Sequence, residues 1–125
     1  MISIVEDDEA VREATKDLVR SLGYATATFA CAEDYLHSDR VHDTSCLISD
    51  VQLPGMNGVE LQKRLIADGH RTPVIFVTAF PREQVRARAL DAGAFGFLSK
   101  PYSDDCLIEC LDRALKNFGS ATARQ

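Results

Sequence analysis

Cys46-Leu47-Ile48-Ser49-Asp50 is followed almost at once by Leu53-Pro54-Gly55-Met56-Asn57-Gly58. The first run is short, mostly apolar and bounded by turn residues, which predicts a buried strand over 45–50. The second is a Pro/Gly loop. A carboxylate where the strand meets the loop lies outside the carboxyl end of a parallel sheet, where open α/β folds place their sites. Three other apolar runs end in the same manner. Ile2-Ser3-Ile4-Val5 runs into Glu6-Asp7-Asp8, Pro73-Val74-Ile75-Phe76-Val77 into Thr78, and Ala94-Phe95-Gly96-Phe97-Leu98 into Ser99-Lys100-Pro101. Acids, a lone acid, a hydroxyl and an ammonium at four strand ends imply one shared site.

Helical patterns separate these strands. Val11, Ala14, Leu18 and Leu22 fall at three- and four-residue spacing, which predicts an amphipathic helix stopped by Gly23. Residues 24–29 alternate weakly and predict a short strand, and 30–38 predict a helix. A helix over 58–67 ends at Asp68-Gly69. Pro81 fits the first turn of a helix running to Ala92, with Gly93 as its C-terminal cap. The fifth strand is 95–98. Ser103-Asp104-Asp105 supplies the N-cap and first-turn acids of a last helix that carries Leu107, Cys110, Leu111, Ala114, Leu115 and Phe118 on one side. Five strands alternating with five helices predict an α/β domain whose parallel sheet is covered on both faces. The domain is expected over 1–118. Residues 119–125 are small and polar and read as a tail or the start of a linker.

The bulk composition excludes several classes. A chain of 125 residues, 46% hydrophobic, suits one folded domain. Its net charge of -5 makes direct nucleic-acid binding by the domain unexpected, because cationic contacts to phosphates supply most of that affinity. No apolar run approaches the ~20 residues of a membrane span. Met1-Ile2-Ser3-Ile4 has no basic region before it turns acidic, so it is not a signal peptide, and a cytoplasmic location is expected. Cys31, Cys46, Cys106 and Cys110 form no CxxC pair. Cys106 and Cys110 share a helix face, which suits a soft metal in principle, but buried reduced thiols are the stronger expectation for Cys46 and Cys110.

The four strand ends suit one chemistry. A carboxylate attacks phosphorus to form an acyl phosphate. Negative charge gathers on the transferring group's oxygens, so a divalent cation and a fixed ammonium help. Mg²⁺ takes oxygen ligands and keeps some of its water, so two or three carboxylates suffice. Glu6, Asp7 and Asp50 supply them, Lys100 the ammonium and Thr78 a hydroxyl. Taken singly, each residue has a blander role: Asp8 and Glu9 as N-cap and first turn of the next helix, Thr78 as a cap, Lys100 as a solvated lysine. Their joint placement favours the shared site.

Val5-Glu6-Asp7-Asp8-Glu9, Ser49-Asp50 through Gly58, Val77-Thr78-Ala79 and Phe97-Leu98-Ser99-Lys100-Pro101-Tyr102 together resemble the receiver domains of two-component response regulators. The likeness runs from about Ile2 to Phe118, and Gly96 through Tyr102 is most similar to the FixJ-like branch. This implies a flavodoxin-like, doubly wound sheet of order 2-1-3-4-5 with five helices. It implies that Asp50 accepts a phosphoryl group from a sensor histidine kinase and is modified to 4-aspartylphosphate. Mg²⁺ or Mn²⁺ would be held directly by Asp7 and Asp50, by the Gln52 carbonyl, and by Glu6 mainly through water. Thr78 and Lys100 would contact the phosphoryl group, and Thr78 and Phe97 would form the switch. The Lys100–Pro101 peptide is expected to be cis. The resemblance implies no enzyme beyond assistance to its own phosphorylation and dephosphorylation. It implies a homodimer on phosphorylation and an output domain outside this chain, DNA-binding and concerned with transcription. Glu6 departs from the commoner Asp, which bears on metal affinity. The alternatives are a stand-alone receiver acting through protein contacts, an aspartyl-nucleophile phosphatase, and a flavin-binding domain of similar architecture. A phosphatase needs an acid two residues after the nucleophile, where Gln52 stands. A flavin phosphate would be repelled by Glu6-Asp7-Asp8-Glu9.

Overall fold

Ile2–Val5 (β1), Cys46–Asp50 (β3) and Val74–Thr78 (β4) are buried at every position. Strands apolar toward both faces belong in the middle of a sheet covered on both sides. The computed structural model, which describes residues 1–123, places them there. Thr26–Phe29 (β2) and Gly96–Ser99 (β5), partly buried, form the edges. All five strands are parallel in the order β2-β1-β3-β4-β5. The helices are α1 (Glu9–Ser21), α2 (Ala32–Leu36), α3 (Gly58–Ala67), α4 (Glu83–Asp91) and α5 (Asp104–Ala123).

The two faces carry separate cores. Val19 of α1 and Leu107, Leu111 and Ala114 of α5 pack on Ile2, Ile4, Ile48, Ile75 and Val77. Tyr35, Leu61, Leu65 and Ala89, from α2, α3 and α4, pack on Val5, Leu47 and Phe76. The chain runs from β1 out to β2 on one side and then returns across β1 to β3 on the other. That reversal opens a crevice above the ends of β1 and β3, where such sheets bind ligands.

Local chemistry sets most boundaries. Asp8 caps α1, its Oδ1 accepting from Val11 N at 3.1 Å. Asn57 and Glu60 form a reciprocal capping box at the start of α3. Gly93, at φ +103°, follows α4 in a conformation that favours glycine. Three boundaries differ from expectation. Pro81 precedes the N-cap Arg82, whose backbone is extended, so α4 starts later than predicted. The second helix is shorter than 30–38, and a separate 3₁₀ turn, Asp39–His42, follows with Ser38 Oγ accepting from Arg40 N. α5 continues to Ala123, through much of the expected tail; residues 124–125 of that tail lie outside the described residues. All four cysteines are free; Cys46 is buried, with its thiol pushed up to about 12, Cys31 and Cys110 are half-buried, and Cys106 is exposed.

Gly58 shows how tightly the site loop is held. A Cβ there would fall on the Asp50 carbonyl oxygen and lie 3.0 Å from the Phe76 ring. Both neighbours are buried and cannot yield. Gly58→Ala is therefore expected to destabilise the fold by about 1–3 kcal/mol, as overpacking does. Thermal unfolding checks this; an unchanged midpoint would show that α3 shifts away from β3 without cost.

Candidate functional site

The crevice collects the strand-end residues. Glu6 follows β1, Asp50 ends β3, Thr78 ends β4 and Lys100 follows β5. Glu6 is 3% exposed and Asp50 6%, so both carboxylates are nearly removed from water. Lys100 Nζ lies 2.6 Å from Glu6 Oε1 and 2.9 Å from Asp50 Oδ2. One ammonium thus bridges two carboxylates that would otherwise repel. The Lys100–Pro101 peptide is cis.

The remaining oxygens are also placed. Asp50 Oδ1 accepts from Gln52 N at 2.9 Å, and Glu6 Oε2 accepts from Asp8 N at 3.2 Å. Asp7 is exposed, and no hydrogen bond among the described residues occupies its carboxylate. Oxygens of Glu6, Asp7 and Asp50 lie within 4.8 Å of one another. Three carboxylates against one ammonium leave a net negative site, a donor set of hard oxygens that fits Mg²⁺ or Mn²⁺. Asp7 is the acid with free oxygens, while both oxygens of Glu6 are engaged.

Burial raises the Glu6 carboxyl above its ordinary value, and the like charge of Asp50 adds to the rise despite the Lys100 hydrogen bond. Burial works against the Lys100 ammonium, but hydrogen bonds to Glu6 and Asp50 outweigh it and hold its pKa up. Lys100 therefore stays charged across the physiological range.

A cleft of about 610 Å³ opens over this cluster, lined among others by Asp7, Asp50, Gln52, Ala79, Phe80 and Lys100. Thr78 is fully buried beside it, and its Oγ1 accepts from Phe80 N at 3.0 Å. The hydroxyl thus braces the loop after β4 rather than capping α4. Phe80 itself is 62% exposed at the cleft's rim. Phe97 is half-buried on the edge strand, its ring 6.3 Å from Phe76 across the β4/β5 pair.

Two supporting residues escaped the sequence reading. Arg12 Nη1 donates to the Glu6 carbonyl at 2.9 Å, so α1 holds the acidic loop by its backbone. Glu33 Oε2 accepts from Met56 N at 3.1 Å and fixes the loop after β3 against α2. Arg12 reaches a backbone carbonyl six residues back, which no side-chain pattern marks, and Glu33 meets a loop 23 residues away that only the fold brings near.

Residues 2–112 match the family model of the response regulator receiver domain. The chain is 36% identical over 116 residues to the response regulator protein TmoT of Ectopseudomonas mendocina, covering 93% of this chain and 53% of that protein. It is 31% identical over 115 residues to the transcriptional regulatory protein FixJ of Bradyrhizobium diazoefficiens, covering 92% and 56%. It therefore spans about half the length of these curated relatives. The structure of the response regulator StyR superposes with a TM-score of 0.90 at 35% identity, over 98% of this chain and 62% of that one. The crystal structure of FixJ-N gives 0.82 at 31% identity, over 92% of each. No helix among the described residues is long and apolar enough to cross a membrane. The acidic pocket at the end of β1 is the kind through which this family binds Mg²⁺. By sequence, sheet order and site, the chain belongs to the response regulator receiver domains of two-component phosphorelay signalling.

Proposed function

We propose that Asp50 is the phosphoryl acceptor of this receiver and that a sensor histidine kinase is its donor. The observation that carries the reading is Lys100 Nζ bonded to both Glu6 and Asp50 at the ends of separate strands. An Asp50 oxygen attacks phosphorus, the P–N bond of the phosphohistidine breaks, and its electron pair returns to the imidazole. The product is an acyl phosphate on Asp50. The Gln52 amide and Lys100 orient the attacking carboxylate before transfer. Lys100 then follows the charge onto the phosphoryl oxygens.

Asp7 and Asp50, with the Gln52 carbonyl, are the proposed direct ligands of Mg²⁺ or Mn²⁺, and Glu6 acts through water. The cation, when bound, offsets charge on the transferring oxygens. Thr78 and Phe97 form the proposed switch. A phosphoryl oxygen draws the Thr78 hydroxyl, and the Phe80 amide then loses its acceptor. The loop leading to α4 is released, and Phe97 turns into the vacated space. Its ring carries no hydroxyl to satisfy on burial. The remodelled α4 and β5 surface favours a homodimer, and relatives named as transcriptional regulators point to a DNA-binding output outside this chain. The domain assists its own phosphorylation and dephosphorylation and has no other substrate. One domain over 1–118, followed by a tail or linker, remains the proposed organisation.

Two experiments test this. Incubation with acetyl phosphate and Mg²⁺ should add one phosphoryl group by intact mass and move the protein toward dimer in sedimentation. EDTA or Asp50→Asn should abolish both. Phosphate on Asp50→Asn at the wild-type rate would overturn the acceptor assignment, and a phosphorylated protein that stays monomeric would overturn the dimer.

The second uses the raised Glu6 pKa. An unfolded glutamate titrates near 4.5, so at pH 7 the metal-free fold carries a carboxylate that burial disfavours. A raised folded pKa gives stability at low pH that is lost as pH rises through it. Glu6→Gln is therefore expected to melt above wild type at pH 7 in EDTA. The gap should close as pH falls toward 4.5, where the wild-type carboxyl is protonated. A variant that melts lower at pH 7 would show that the Lys100 pair outweighs the burial cost.

A further inference from the structure

On the buried side of α3, Leu61 and Leu65 flank Gln62, which is only 3% exposed. Gln62 Nε2 donates to the Ala89 carbonyl of α4 at 3.1 Å. Its Oε1 is buried with no hydrogen-bond partner among the described residues. A half-satisfied amide is a poor choice for stability where its neighbours are leucines, because the unpaired oxygen forfeits its hydration. The Ala89 carbonyl does not need the bond either, since Ala94 N already donates to it at 2.9 Å. The bond's distinctive property is direction: apolar contacts slide, whereas a hydrogen bond fixes distance and angle.

Apart from Val85 and Leu90, partly buried against the core, the helix it holds has few restraints. Ala89 is the only buried side chain of α4, and the N-cap Arg82 makes no side-chain capping bond. The approach to α4 is braced by Thr78 Oγ1 through Phe80 N, the contact at stake in the switch. The helix is thus lightly held at its N-terminal end and tied to α3 near its C-terminal end.

We propose that Gln62 is a positioning residue, a clamp that fixes α4 in its resting place by tying the Ala89 carbonyl to α3. Its consequence for signalling rests on the reading that α4 moves when Asp50 is phosphorylated; the clamp itself does not. Gln62→Leu removes the tie without leaving any group unpaired, and Gln62→Met does so with a shape closer to glutamine.

The test is amide hydrogen exchange of α4 in wild type and both variants, without metal or phosphate. Exchange at 86–93 should quicken about three- to tenfold, the worth of one net hydrogen bond. The amides of β1, β3 and β4 should be unchanged and the thermal midpoint equal or higher. Unchanged α4 exchange would overturn the clamp, as would faster exchange throughout the sheet with a lower midpoint. A titration with beryllofluoride and Mg²⁺ then separates the two readings. Tighter binding by the variants supports the clamp as a brake on switching. Faster α4 exchange with unaltered binding leaves the clamp standing and counts against α4 movement in the switch.

Discussion

One ammonium between two buried carboxylates organises this molecule. Glu6 and Asp50 stand on neighbouring strands, nearly out of water, and their charges repel. Lys100, arriving from the far edge of the sheet, lies within 2.9 Å of both. A pair of like charges in a low-dielectric crevice repels far more than in water, and the lysine between them offsets that repulsion. The bridge also brackets β3 and β4 between β1 and the end of β5, so the sheet's order and the site's electrostatics impose the same geometry. The free oxygens of Asp7 complete the negative side and face the open cleft.

The same constraint bears on how the proposed switch would reach the surface. The Asp50 carboxylate is held by hydrogen bonds from Gln52 N on one oxygen and Lys100 on the other, and its carbonyl is hemmed in by Gly58. The loop after β4 is pinned more lightly, by one bond from Phe80 N to Thr78. On the proposed reading, a phosphoryl group on Asp50 would compete for Lys100 and Thr78 together, and the more lightly held loop and α4 would take up the movement. A few kcal/mol of differential binding would then shift the resting and switched populations.

Much of this was legible in the sequence because the chemistry sits at strand ends, where a periodic apolar run gives way to a polar residue. Glu6, Asp7, Asp50, Thr78 and Lys100 were each readable there, and the structure brings Glu6, Asp7, Asp50 and Lys100 to one crevice with Thr78 buried beside it. The order of the strands was not local information; alternation implied a parallel sheet, while the arrangement 2-1-3-4-5 came from family resemblance. Pro81 misled because proline suits both the first turn of a helix and the residue before its N-cap. The 3₁₀ turn at Asp39–His42 is too short to show a period. Glu33 and Gln62 act on partners far along the chain, 23 residues away for Glu33 and 27 for Gln62. No local pattern encodes such meetings.

The structure of the domain with Mg²⁺ and beryllofluoride tests the central claim most directly. The account predicts the beryllium on an Asp50 oxygen, the cation against Asp7 and Asp50, and Lys100 Nζ moved from Glu6 onto a fluorine. A beryllofluoride bound elsewhere, or a Lys100 still bridging Glu6 and Asp50 with the phosphoryl mimic in place, would contradict it.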